Sequence, residues 1–171
     1  RRQRQICIRD RFCGVLAVGA IGSISEEHER QAFAVLKEMA GDPRWRTREG
    51  VAMGLQNIIS ERGMEALRKL EGWADGDDWL IVRAAAAGVA EPPLLKDPKI
   101  AGAALGLHKK IIAQMLASDN RRSEEFRTLR QALGYSLSVV VCACPGEGFV
   151  YMRELAESSD PDIRWVVLSL I

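Results

Sequence analysis

The sequence predicts an all-α fold, a right-handed α-α superhelix (solenoid) of about five helix pairs, and two observations predict it. An apolar-Arg pair recurs at Ile8-Arg9, Thr47-Arg48 (Thr standing in), Val82-Arg83, Leu129-Arg130 and Ile163-Arg164, at intervals of 39, 35, 47 and 34 residues. Three and seven residues after each Arg the chain is apolar in every copy: Phe12 and Leu16, Val51 and Leu55, Ala86 and Ala90, Leu133 and Leu137, Val167 and Ile171. This is one face of a helix repeated in register. No strand pattern competes with it, because the β-branched run Val139 to Val141 lies inside a helical segment.

Each Arg-led helix is preceded by a turn. Asp42 and Asp77 stand six residues before their Arg and Asp160 four before, as N-caps or turn residues do. Between the Arg-led helices lie shorter amphipathic ones. Gln31 to Ala40 places Phe33, Leu36 and Ala40 on one face, Met64 to Ala74 does the same with Leu67, Leu70 and Ala74, and Phe149 to Ala156 is the third. The unit is therefore helix, turn, helix.

Residues 91–120 break the rhythm. Pro92-Pro93 ends the helix that starts near Val82, and Asp97-Pro98 starts another with Pro in its first turn. Ile100 to Leu116 then makes a long apolar helix with Lys109 and Lys110 on its polar side. Residues 1–171 are expected to form a single repeat domain whose first and last repeats are incomplete.

An apolar content of 47% supports a continuous core. Net charge is only +1, although 18 of the 24 basic residues are Arg, so any attraction for a polyanion has to be local. The charge-free run Gln131 to Gly146 is shorter than the ~20 residues that span a bilayer, and no membrane partner is expected. The cysteine pairs Cys7/Cys13 and Cys142/Cys144 lack the two-residue spacing of a structural zinc site, so reduced, packed thiols and a cytoplasmic setting are expected, without metal or cofactor.

The Asp-Pro turn, the apolar-Arg pair and the period near 35 to 40 residues resemble HEAT-like repeats of the armadillo class. The resemblance implies a solenoid in which small residues (Gly50, Gly54, Ala84 to Ala87, Gly88) let helices approach closely. The recurrent Arg48, Arg83, Arg130 and Arg164 are expected to bind Asp or carbonyl groups of adjacent turns and so fix register. It implies architecture more than function. A protein-binding or scaffold module without catalysis, working through a concave surface of second helices, is the expectation that follows.

Candidate residues for that surface are Arg44, Trp45, Arg46, Trp79, Arg83 and Arg130, where aromatic and guanidinium groups cluster at helix mouths. Arg121, Arg122, Arg127 and Trp165 extend the set. No nucleophile-base arrangement stands out and no catalytic residue is expected: His28, in the acidic run Glu26 to Glu29, and His108, beside Lys109, read as surface histidines. The alternative function rests on a resemblance to HEAT-like DNA alkylation repair glycosylases in the segment Asp77 to Ala85. It implies nucleic acid as a partner, with Trp45, Trp79, Arg46 and Arg83 at the duplex and Glu49 or Asp77 as the acid. The apolar stretch Trp165 to Ile171 is expected to meet further chain or a second subunit.

Overall fold

Polar caps set where the helices begin. The structure, a computed structural model, describes residues 8–169; the expectations placed on Cys7, the Ile8 side chain, Leu170 and Ile171 fall outside the described residues. Among the described residues, the first helix is α1 (Ile8–Gly22). Ser25 caps α2 (Glu26–Ala40), its hydroxyl accepting from the His28 N–H at 3.4 Å. That cap starts α2 five residues before Gln31, so the acidic run is the first turn of the helix, where carboxylates suit the macrodipole.

α3 (Trp45–Arg62) passes into α4 (Met64–Glu71) through Gly63 alone, at φ +58°, a backbone conformation that favours glycine. Asp78 accepts from the Leu80 and Ile81 N–H groups at 2.9 and 3.3 Å and starts α5 (Trp79–Val89). The cap is thus one residue later than Asp77. A 3-10 turn (Leu94–Lys96) follows the Pro pair, and Asp97 with Pro98 opens α6 (Pro98–Ala117), as the sequence predicts. Ser123 caps α7 (Glu124–Ala143), Pro145 starts α8 (Pro145–Ala156), and Asp160 with Pro161 starts α9 (Pro161–Leu168).

The Arg-led helices stack on one another: α1 on α3, α3 on α5, α5 on α7 and α7 on α9. The intervening helices back them, with α2 against α1 and α3, α4 against α3 and α5, α6 against α5 and α7, and α8 against α7 and α9. The result is an all-α solenoid of two layers. Within the described residues the first unit contributes α1 alone.

Close approach is greatest between α1 and α3. A Cβ on Gly19 would overlap the Gly54 backbone, and one on Gly88 would sit 3.0 Å from the Leu55 side chain, so each glycine marks a helix crossing. A continuous cluster of buried apolar side chains runs from Val15 to Val166, with Leu36, Leu55, Ile58, Leu67, Ile111, Phe126 and Leu137 fully enclosed. Removing such a leucine from water contributes about 1.5–3 kcal/mol. Trp73 meets Phe33 edge-on at 5.8 Å and joins the outer layer of the first two units.

Two polar residues in this interior depart from the sequence expectation. Glu29 is fully buried, with its carboxylate 3.2 Å from Arg62 Nε and 2.9 Å from Lys69 Nζ, so it ties α2 to α3 and α4. His108 is also fully buried: its Nδ1 lies 2.8 Å from the Ala104 carbonyl and its Nε2 2.9 Å from Ser136 Oγ. Burial, partly offset by the Ala104 hydrogen bond, pushes its pKa down to about 4, so the ring is neutral at pH 7. It is a core cross-link between α6 and α7 and not a surface histidine.

Candidate functional site

The turn that leads into α3 is built around one carboxylate. Asp42 is buried and accepts from the Arg44 N–H, Nε and Nη2, each at 2.8 Å. Arg11 on α1 approaches the same carboxylate at 3.7 Å. Burial raises the Asp42 pKa, but the Arg44 hydrogen bonds and the charges of Arg44 and Arg11 outweigh it and hold the acid below its usual range. Arg48 closes the turn from the helix side, donating from Nη1 to the carbonyls of Asp42 and Pro43 at 2.8 and 3.0 Å.

This fixed turn leaves Trp45 projecting into solvent, 58% exposed at the first position of α3. The Arg46 guanidinium lies 4.8 Å from the centre of its ring. Such a cation–π contact contributes about 0.5–1 kcal/mol at an exposed site and lowers the entropy of both side chains. Among the described residues Arg46 makes no ion pair, so the stacked pair presents one aromatic face and one free positive charge.

The other candidates are occupied differently. Arg83 is 11% exposed, with Nη1 donating to the Arg48 carbonyl at 3.2 Å and Nη2 paired with Glu49. Arg130 Nη1 donates to Asp162 at 2.6 Å while its guanidinium lies 4.6 Å over Trp165, and Arg121 Nη1 donates to Asp160 at 2.5 Å. Burial raises the Asp160 pKa, and the Arg121 hydrogen bond with the backbone N–H groups of Ile163 and Asp162 brings it below normal. Arg83 and Arg130 therefore hold a carbonyl and acids of neighbouring repeats as a register ladder, whereas Arg48 holds only the turn of its own repeat. Arg164 is exposed and makes no such contact among the described residues.

Trp79 does not join the surface. It is 3% exposed, packs edge-on against Phe126 at 5.4 Å, and donates its indole N–H to the Asn120 carbonyl at 3.1 Å. It stands four residues before Arg83, whereas Trp45 stands three before Arg48, and this register turns it back between α5 and α7. Trp79 is removed from the set of binding candidates, and Arg83 is held by its neighbours. Of the pairs named from sequence, Arg44, Trp45 and Arg46 stand together at the mouth of α3, while Arg130 belongs with Asp162 and Trp165 at the other end of the array.

Glu29 and His108 were readable in part. Positions 29, 33, 36 and 40 share a helical face, and on α2 that face is the buried one, so Glu29 had to enter the core with Phe33 and Leu36. His108 carries the same mark: Ala101, Ala104, His108, Ile111 and Met115 share the buried face of α6, while Lys109 and Lys110 beside it are half exposed and pair with Glu147 and Asp75.

The family model for HEAT repeats matches residues 9–90, which spans α1 through α5 and both of the clearest Arg-led turns. Residues 9–90 are HEAT-like repeats. Beyond residue 90 the HEAT-type stacking continues, with α6 and α8 backing α7 and α9 as α2 and α4 back α3 and α5. No curated protein and no solved structure matches the chain. Among the described residues no helix is long and apolar enough to cross a membrane.

Proposed function

We propose that this chain is a non-catalytic HEAT-repeat module that holds a protein partner on the surface of its Arg-led helices, with Trp45 and Arg46 as the anchor. HEAT repeats generally mediate protein interaction or scaffolding. The observation that carries the reading to particular residues is the exposed Trp45–Arg46 stack on a hydrogen-bonded turn: tryptophan and arginine dominate binding hot spots, and a pre-ordered pair loses little entropy when it is covered. The unbroken apolar core supports treating residues 1–171 as one repeat domain. A cytoplasmic setting fits the free thiols of Cys13, Cys142 and Cys144.

The alkylation-repair reading has less to stand on. It needs Trp79 and Arg83 at a duplex and Glu49 as an acid, whereas Trp79 is inside the protein and Arg83 and Glu49 bind each other. Asp77 stays exposed beside the α5 mouth, where the Trp79 indole is buried.

Affinity capture with the wild-type chain and with Trp45→Ala/Arg46→Ala tests the proposal. A protein retained by the wild type and lost by the double variant, at equal helical content, is the expected result. Retention by both would move the binding surface elsewhere, and salt-sensitive binding of alkylated duplex would restore the repair reading.

A further inference from the structure

The C-terminal half of α7 carries a second feature, separate from the Trp45 surface. Two depressions flank its exposed face and meet at Ser138 and Cys142, which stand one helical turn apart. The larger, of about 570 Å³, is walled by Phe149, Met152 and Ala156 of α8 and floored by Val141 and Val167. The smaller, of about 470 Å³, is walled by Pro92 and Leu95 beside the 3-10 turn and floored by Val139 and Ala143. Phe149 is more than half exposed, so the larger depression has an open apolar wall.

Among the lining residues only Lys96 and Arg153 carry charge, one in each depression. Lys96 lines the smaller depression and Arg153 the larger, both exposed, and neither forms an ion pair among the described residues. Lys109 and Lys110, by contrast, bind Glu147 and Asp75, and Arg121 and Arg130 bind Asp160 and Asp162.

We propose that this trough docks a short peptide whose two apolar anchors fill the depressions and whose flanking carboxylates meet Lys96 and Arg153. Two depressions in a row, separated by the low Ser138–Cys142 crossing, match two side chains projecting from one backbone. One cation in each depression matches an acid beside each anchor. An amphiphile with a single headgroup satisfies one cation and leaves the other unpaired, so the doubled arrangement selects a peptide over a fatty acid. A second copy of this chain would have to bring an apolar segment with acids at both flanks.

Panning a random dodecapeptide display library on the full chain, with counter-selection on Cys142→Trp, tests the proposal. That substitution is at an exposed helical position and puts an indole across the crossing between the depressions. The expected outcome is enrichment of peptides with two apolar residues flanked by Asp or Glu. Synthetic versions should lose about tenfold in affinity on Lys96→Glu and again on Arg153→Glu, with helical content intact, as breaking a charge-assisted contact does. They should bind Trp45→Ala/Arg46→Ala unchanged, which separates this site from the anchor above. The proposal is overturned if no peptide survives counter-selection, or if the survivors lack acids or ignore both charge reversals. It is equally overturned if sodium dodecanoate binds in a Cys142→Trp-sensitive way while peptides do not, or if Cys142→Trp abolishes self-association that no enriched peptide competes with.

Discussion

The Arg83 guanidinium donates to the backbone carbonyl of Arg48, the residue that holds the same place one repeat earlier, at 3.2 Å. The contact links α5 to α3 through a group that cannot be lost by side-chain mutation at the acceptor, and Glu49 beside it completes the ion pair. Register between neighbouring repeats is thereby written into the backbone.

Replacing Arg83 with Met keeps the aliphatic stem and removes the donors. The Arg48 carbonyl then loses its side-chain partner near the edge of a tight helix contact, and stability should fall by about 1–3 kcal/mol. Urea unfolding reads this as a lower midpoint at unchanged slope. Arg164→Met is the control: exposed and without a ladder contact, it should stay within about 0.5 kcal/mol of wild type.

The two tryptophans at helix mouths should behave oppositely. Trp79→Ala removes a buried indole together with its hydrogen bond to Asn120 and its contact with Phe126, and should cost about 3–5 kcal/mol. Trp45→Ala removes an exposed ring and should change stability by no more than about 0.5 kcal/mol. In the folded wild type, iodide should quench Trp45 emission and leave Trp79 emission nearly untouched, which single-tryptophan variants can resolve.

Gly54 is the next point of leverage. Its Cβ position faces the Leu36 side chain at 3.1 Å and the Val15 carbonyl at 3.4 Å, while Gly19 crosses it from α1. Gly54→Val has to push α1 from α3, and overpacking of this kind costs about 1–3 kcal/mol. Gly14, with nothing near its Cβ position, should accept Ala and gain a few tenths of a kcal/mol from helix propensity and unfolded-state entropy. Thermal melts of the two variants should move in opposite directions.

These residues also show what a sequence of this type reveals. Helix order, the Arg-led turns, the Asp97-Pro98 start and the close-packing role of Gly50, Gly54 and Gly88 follow from period and local chemistry, because repeats impose the same constraint several times over. The direction in which a side chain leaves a helix mouth does not. Trp45 and Trp79 each open their helix, yet Trp45 stands three residues before Arg48 and Trp79 four before Arg83, and the rotation of about 100° that one residue makes on a helix sends one indole to solvent and the other to the core. At His108 the buried face is legible from spacing but the partner is not: Ser136 stands 28 residues away on another helix, and no local pattern couples the two.

That buried pair gives the protein a pH response with a definite window. In an unfolded chain the His108 imidazole titrates near 6.5, whereas burial keeps the folded one near 4. Above pH 6.5 both states carry a neutral ring, and the residue adds no pH dependence. As pH falls from 6.5 to about 4, the unfolded chain takes up a proton that the folded protein refuses, and stability drops by about 3 kcal/mol across the interval. The Asp42 and Asp160 contributions lie lower: their folded pKa values are depressed, so their stabilisation is present above the ordinary carboxylate value of 3.8 and is lost as pH falls below it. The two windows scarcely overlap. His108→Leu with Ser136→Ala removes both polar partners together and leaves no buried group unpaired. Urea midpoints measured at pH 7, 5.5 and 4 should decline for wild type and stay nearly level for the double variant, and equal slopes would mean that His108 is already protonated in the folded chain.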